Sequence, residues 1–190
     1  MRLTIPNTLT IGRVVAAPLV AFVFLVLARP LADIVAFLLF TIAGLSDFLD
    51  GWLARRWGQV SAFGRMLDPI ADKAMIAVTG AVLVGLFDLS AGVTIPVTVI
   101  LVRETLVSGL REYLKGARVL DVTQLAKWKT TAQMIAFGAL LLAGAVEAPD
   151  NWISVAGIAL LWLAAALTAL SGWDYFSKGL AYMKSEEERI

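Results

Sequence analysis

The chain has 190 residues, 59% of them hydrophobic and 16% charged, against roughly 45–50% apolar and 25% charged in an ordinary soluble domain, which argues against a water-soluble monomer. Its 16 basic and 15 acidic residues leave a net charge of +1, too little for a general attraction to nucleic acid, so no nucleic-acid partner is expected. The sequence has no Cys and no His, which excludes disulfides, thiolate nucleophiles, zinc–thiolate sites and the usual base near neutral pH.

Six apolar helices are predicted in chain order, each long enough to cross a bilayer core of about 30 Å. Pro6-Asn7-Thr8 begins the first, with Asn7 or Thr8 as its cap, and the apolar run covers residues 9–28. Arg2 ahead of this run also fits a signal peptide, but the later runs make a cleaved leader unnecessary. Those runs occupy residues 31–53, 66–87, 91–114, 126–146 and 152–176. Turn signals separate them at Arg29-Pro30, Trp57-Gly58, residues 88–92, Lys115-Gly116 and residues 148–150. At about 20 residues per crossing there is room for little else, so residues 1–190 are expected to form one domain.

With the N-terminus inside, fifteen of the 16 basic residues fall on the cytoplasmic side and only Arg29 on the other. Basic residues are retained in cytoplasmic loops. The expected fold is therefore an all-α membrane protein: six transmembrane helices behind a short juxtamembrane segment, with both termini cytoplasmic. Arg13 and Arg56 are expected to snorkel to the interface, and Glu186, Glu187 and Glu188 to form a solvated tail. Trp52, Trp57, Trp128, Trp152 and Trp173, near span ends, fit interfacial belts.

Of the acids inside these apolar helices, four cluster at adjoining ends: Asp47 and Asp50 near the cytoplasmic end of the second, Asp68 and Asp72 near the cytoplasmic start of the third. A charge at the bilayer centre costs about 2.5–3.5 kcal/mol, less toward the interface, so such residues usually face a cavity. Asp47, Asp50 and Ala54 form one helical stripe, and Gly64, Asp68 and Asp72 a second. A short connection is expected to bring the stripes face to face, with Gly51 and Gly64 allowing close approach and Pro69 bending the third helix.

Four facing carboxylates remain ionised only where cations compensate them. Oxygen-only ligands select Mg²⁺ first and Mn²⁺ second, with Zn²⁺ disfavoured. Mg²⁺ shares its coordination shell with phosphate oxygens, and Arg55 and Arg56 add anion contacts, so the pattern suits a diphosphate. The same acids also fit a proton or cation path, or salt bridges to Arg55, Arg56, Arg65 and Lys73.

Read from Asp47, the chain gives Asp47-x2-Asp50-Gly51-x2-Ala54-Arg55-x8-Gly64-x3-Asp68-x3-Asp72, which resembles the complete signature of the CDP-alcohol phosphotransferases. Further similarity lies in Ile5-Pro6-Asn7-Thr8-Leu9-Thr10 with Arg13, in Leu67-Asp68-Pro69-Ile70-Ala71-Asp72-Lys73, in Arg103-Glu104 with Arg111-Glu112, and in Lys127-Trp128-Lys129-Thr130-Thr131-Ala132-Gln133. These segments resemble the phosphatidylglycerophosphate synthases within that family. The resemblance implies attack by an alcohol hydroxyl on the β-phosphorus of CDP-diacylglycerol, with CMP leaving, at the cytoplasmic face of the cell (inner) membrane. For this subgroup the alcohol is glycerol 3-phosphate; the alternatives are inositol phosphate or serine with the same donor, or a cation transporter.

Carried over by position, the resemblance implies that Asp47, Asp50, Asp68 and Asp72 hold two metal ions, Mg²⁺ or Mn²⁺, and that Asp72 is also the general base. Gly51, Ala54, Arg55, Ser61 and Gly64 would contact the CDP-diacylglycerol, with Asn7, Thr8, Thr10 and Arg13 closing over it from the first helix. A homodimer is implied as well. Glycerol 3-phosphate needs a cationic pocket of its own, for which Arg103, Arg111, Lys127 and Lys129 are the candidates, Arg103 above all because it falls inside an apolar span. Glu104 and Glu112 could instead neutralise the arginines internally. Lys127 and Lys129 point about 200° apart on an ideal helix, so one is expected to face the pocket more directly. Lys115, Arg118, Lys178 and Lys184 are assigned to anionic membrane lipid.

Overall fold

The computed structural model describes residues 4–57, 61–114, 124–146 and 152–188. Among them are six helices and no strand: α1 (Ile5–Val26), α2 (Leu31–Arg56), α3 (Ala62–Leu86), α4 (Ala91–Tyr113), α5 (Gln124–Gly144) and α6 (Trp152–Glu187). The all-α expectation is met. Five of these helices, α1 to α4 and α6, are long and apolar enough to cross a membrane, and the chain is a multi-pass membrane protein. α5 differs because its first half carries Lys127, Lys129 and Gln133. Lys129 and Gln133, four residues apart, are nevertheless buried, so this face of α5 is turned toward protein and not toward lipid.

Helix starts depart from the predicted ones for a local reason. Thr4, not Asn7 or Thr8, caps α1, its hydroxyl accepting from the Asn7 N–H at 3.4 Å. Asn7 therefore lies in the first turn of α1, after the cap. Ser61 caps α3 in the same way, accepting from the Gly64 N–H at 2.9 Å, so that helix begins four residues before Met66. At the other end α6 continues to Glu187, so Glu186 and Glu187 extend the helix, and Glu188 follows in a turn with its N–H on the Lys184 carbonyl at 3.2 Å. α3 turns into α4 through Asp88 and Leu89, both in the left-handed region (φ 50° and 56°), where the Leu89 N–H bonds the Val84 carbonyl at 3.0 Å.

Packing places α1 between α2 and α3, which barely touch each other. The two acidic stripes thus do not meet directly, as the short connection suggested; they meet across α1. α5 packs on α6 and α2, and α4 on α6. The core joins these pairs through Val20, Phe40, Leu83, Val97, Ile100, Phe137, Leu140 and Leu161, with the Phe40 and Phe137 rings tilted at 6.2 Å. Large apolar side chains such as Leu25, Phe48, Val155 and Leu170 point outward and stay exposed, the arrangement that lipid favours over water.

Arg29, alone among the described basic residues at its end of the bundle, has a structural partner. It forks onto the fully buried Asp33, with Nε donating to Oδ2 at 2.8 Å and Nη2 to Oδ1 at 3.0 Å. The pair presses on Gly144, the last residue of α5: a Cβ there would stand 2.0 Å from Asp33 Oδ1. A side chain at this position would have to displace the ion pair, which packs the α1–α2 connection against the end of α5.

Candidate active site

Asn7, Thr10 and Arg13 are three residues apart on α1, so they share the face inserted between α2 and α3. All three are buried. The Arg13 guanidinium reaches every acid of the two stripes: Nη2 donates to Asp50 Oδ2 at 2.9 Å and to Asp68 Oδ1 at 3.2 Å, and Nη1 to Asp72 Oδ1 at 2.7 Å and to Asp47 Oδ1. Arg13 is 3% exposed, which corrects the expectation that it snorkels. Arg56 does stay at the surface, over the Trp52 ring at 4.9 Å.

Thr10 lies beside the guanidinium. Its hydroxyl is 2.9 Å from Asp68 Oδ1, 3.2 Å from Asp50 Oδ2 and 3.1 Å from the Pro6 carbonyl. A hydroxyl has one proton, so Thr10 serves these acceptors in turn and links α2 to α3. One turn earlier, Asn7 Oδ1 accepts from the Ser61 hydroxyl at 2.7 Å, joining the start of α1 to the start of α3. Gly64 leaves the space for this bond, since a Cβ there would stand 2.9 Å from Asn7 Oδ1. Thr8 is on the other face of α1, exposed, with its hydroxyl returning to the Thr4 carbonyl at 3.2 Å.

The four acids differ in access. Asp50 is buried, whereas the side chains of Asp47, Asp68 and Asp72 are 49%, 44% and 57% exposed, so the centre is closed on the Asp50 side and open on the Asp72 side. Gly51 follows Asp50 within α2. The side chains of Ala54 and Arg55 lie outside the described residues.

The donor set fits a hard divalent cation. It is made of carboxylate oxygens from two helices, already gathered around one positive charge. Gathered on the guanidinium, no three of the acids close on a single point as ion ligands do, among the described residues.

A second polar centre lies on α4, α5 and α6. Arg103 is buried, with Nη1 donating to Glu104 Oε1 at 3.2 Å and Nη2 to the Ser171 hydroxyl at 3.0 Å. Its Nε is buried with no partner among the described residues. The buried Lys129 ammonium also donates to Glu104 Oε1, so of the two candidate lysines Lys129 faces the cluster; the Lys127 side chain lies outside the described residues. Arg111 Nη2 bonds the Tyr175 hydroxyl at 3.0 Å, and the Arg103 and Arg111 guanidinium carbons lie 5.6 and 5.0 Å from the Tyr175 ring centre.

Glu104 therefore does neutralise part of the cluster, holding Arg103 and Lys129 on one carboxylate oxygen, while Arg111 bonds Tyr175. Sequence reasoning missed Ser171 and Tyr175. Their four-residue spacing on α6 makes one polar stripe on an apolar helix, the same signal that the aspartates gave.

The profile of the CDP-alcohol phosphatidyltransferase family matches residues 3–170. A curated protein of Cereibacter sphaeroides named CDP-diacylglycerol–glycerol-3-phosphate 3-phosphatidyltransferase is 45% identical, over 98% of this chain and 100% of its own length. Proteins of the same name from Rickettsia bellii and Salmonella typhimurium are 43% and 42% identical. They cover 90% and 93% of this chain, and 93% and 95% of their own lengths.

Proposed function

We propose that the chain, which belongs to the CDP-alcohol phosphatidyltransferase family, transfers the phosphatidyl group of CDP-diacylglycerol to glycerol 3-phosphate, giving phosphatidylglycerophosphate and CMP. The observation that carries this reading is the convergence of Asp47, Asp50, Asp68 and Asp72 on one cationic centre, in a chain whose relatives bear that activity as their name. A cation path is a poorer reading of the same acids, because they are gathered on Arg13 and the relatives are transferases.

Asp47, Asp50, Asp68 and Asp72 would hold two divalent ions, Mg²⁺ or Mn²⁺, which when bound neutralise the donor's diphosphate and the departing CMP. Asp72, the most exposed of the four, takes the proton of the acceptor hydroxyl as its oxygen bonds to the β-phosphorus and the bond to CMP breaks. Gly51, Ala54, Arg55, Ser61 and Gly64, with Asn7, Thr8 and Thr10 from α1, hold the CDP end of the donor. Burial of Asn7 against Ser61 and Gly64 supports this assignment, since small residues let a nucleotide approach backbone closely.

Arg103, Arg111, Lys127 and Lys129 receive the acceptor's phosphate. The site faces the cytoplasm in the inner membrane, with both termini on that side, as the distribution of basic residues supports. The chain acts as one domain over residues 1–190 and as a homodimer, in contact with membrane lipid.

The acceptor is tested by offering purified protein CDP-diacylglycerol with glycerol 3-phosphate, inositol phosphate or serine in parallel. Rapid CMP release with glycerol 3-phosphate alone is the expected result. Preference for either other alcohol would replace the acceptor while leaving the donor chemistry in place.

A further inference from the structure

The Arg13 side chain has a role that the metal-centre reading does not supply. Four carboxylates carry four negative charges when ionised, and the guanidinium offsets one. Without that charge the acids of α2 and α3 would repel one another across α1, and leaving buried charge unpaired is strongly destabilising. Two divalent ions bring four positive charges, enough to offset the acids in full. Arg13 then becomes a surplus cation pressed against two others, in contact with the oxygens that the ions need.

We infer that Arg13 is an exchangeable counter-ion: it holds the acidic centre together when no metal is bound, and it competes with divalent metal for the same carboxylate oxygens. This rests on the reading of the four acids as the metal centre. Two features of the geometry support exchange over a permanent strut. The guanidinium spreads its contacts over four acids, each through one oxygen, so no single bidentate pair locks it. Thr10 independently spans Asp50 and Asp68, so these two acids keep a common partner when Arg13 withdraws. The released guanidinium remains on α1 beside the diphosphate that the centre is proposed to cleave.

The test uses full-length wild type, R13Q and R13K, purified in detergent and stripped with chelator. Mn²⁺ binding is followed by electron paramagnetic resonance of the free ion, and melting temperature is read with and without Mn²⁺. R13Q is expected to bind Mn²⁺ at least ~10-fold more tightly than wild type, because a unit charge a few ångströms from an ion is worth more than that factor at protein dielectric. R13K, with one compact ammonium in place of a planar fork, is expected to fall between them. Metal-free R13Q should melt below metal-free wild type and gain more from Mn²⁺.

Unchanged or weaker Mn²⁺ binding in R13Q overturns the inference and leaves the metal centre standing. Wild type that binds no Mn²⁺ overturns both. Should R13Q fold only when prepared with Mn²⁺, R13K carries the comparison, and an affinity equal to wild type in R13K then overturns the inference.

Discussion

Asp72→Asn is expected to lower CMP release by ~10²–10⁴-fold, the range typical of losing a positioned general base, while the protein still inserts and purifies like wild type. The geometry separates these two effects. Asparagine keeps an oxygen that can accept from Arg13 Nη1, now 2.7 Å from Asp72 Oδ1, and three further acids still hold the guanidinium. What the amide cannot do is take a proton from the acceptor hydroxyl at neutral pH, or offer a divalent ion the anionic oxygen that Asp72 is proposed to supply. The measurement is CMP release under saturating CDP-diacylglycerol and glycerol 3-phosphate, alongside the melting temperature in detergent. Turnover within tenfold of wild type at an unchanged melting temperature would move the base elsewhere.

The acidic centre was legible in the sequence because charge is rare in apolar helices and helical spacing is simple. Asp47 with Asp50, and Gly64 with Asp68 and Asp72, sort onto stripes from position alone. How the stripes meet was not legible, since that depends on which helix fills the gap between them. Arg13 shows the difficulty: an arginine in an apolar run has the same local pattern whether it snorkels to headgroups or is buried against acids 34 to 59 residues away. The available clue was its place at the end of an Asn7, Thr10, Arg13 series on one helical face.

The cap of α1 is hard to read from sequence for a related reason. Thr4, Asn7 and Thr8 are all competent caps, and what decides among them is that Asn7 is used by Ser61 across the bundle. Likewise, helical position alone leaves open which of Lys127 and Lys129 faces the cationic pocket, and it is Glu104 of α4 that holds Lys129 there.

The second large effect is expected at Arg103. Arg103→Met keeps most of the side chain's length, and so the packing against Gly172, where a Cβ would stand 2.7 Å from Arg103 Cγ, but removes the charge. If Arg103 receives the acceptor phosphate, the KM for glycerol 3-phosphate should rise ~10–100-fold, the loss of one charge-assisted contact. The KM for CDP-diacylglycerol should change little, because the donor is placed on α1 to α3. Steady-state kinetics with each substrate varied separately reads this split. A purely structural Arg103, bound to Glu104 and Ser171, would give a lower melting temperature and equal changes for both substrates.

The proposal that Asp47, Asp50, Asp68 and Asp72 form a cation-requiring centre for cleaving the donor's diphosphate is tested most directly on the chelator-stripped wild-type protein. CMP release from CDP-diacylglycerol with glycerol 3-phosphate is followed as Mg²⁺ is returned. No release in chelator, with recovery on adding Mg²⁺ or Mn²⁺, is the predicted result; release that continues undiminished in chelator would contradict it.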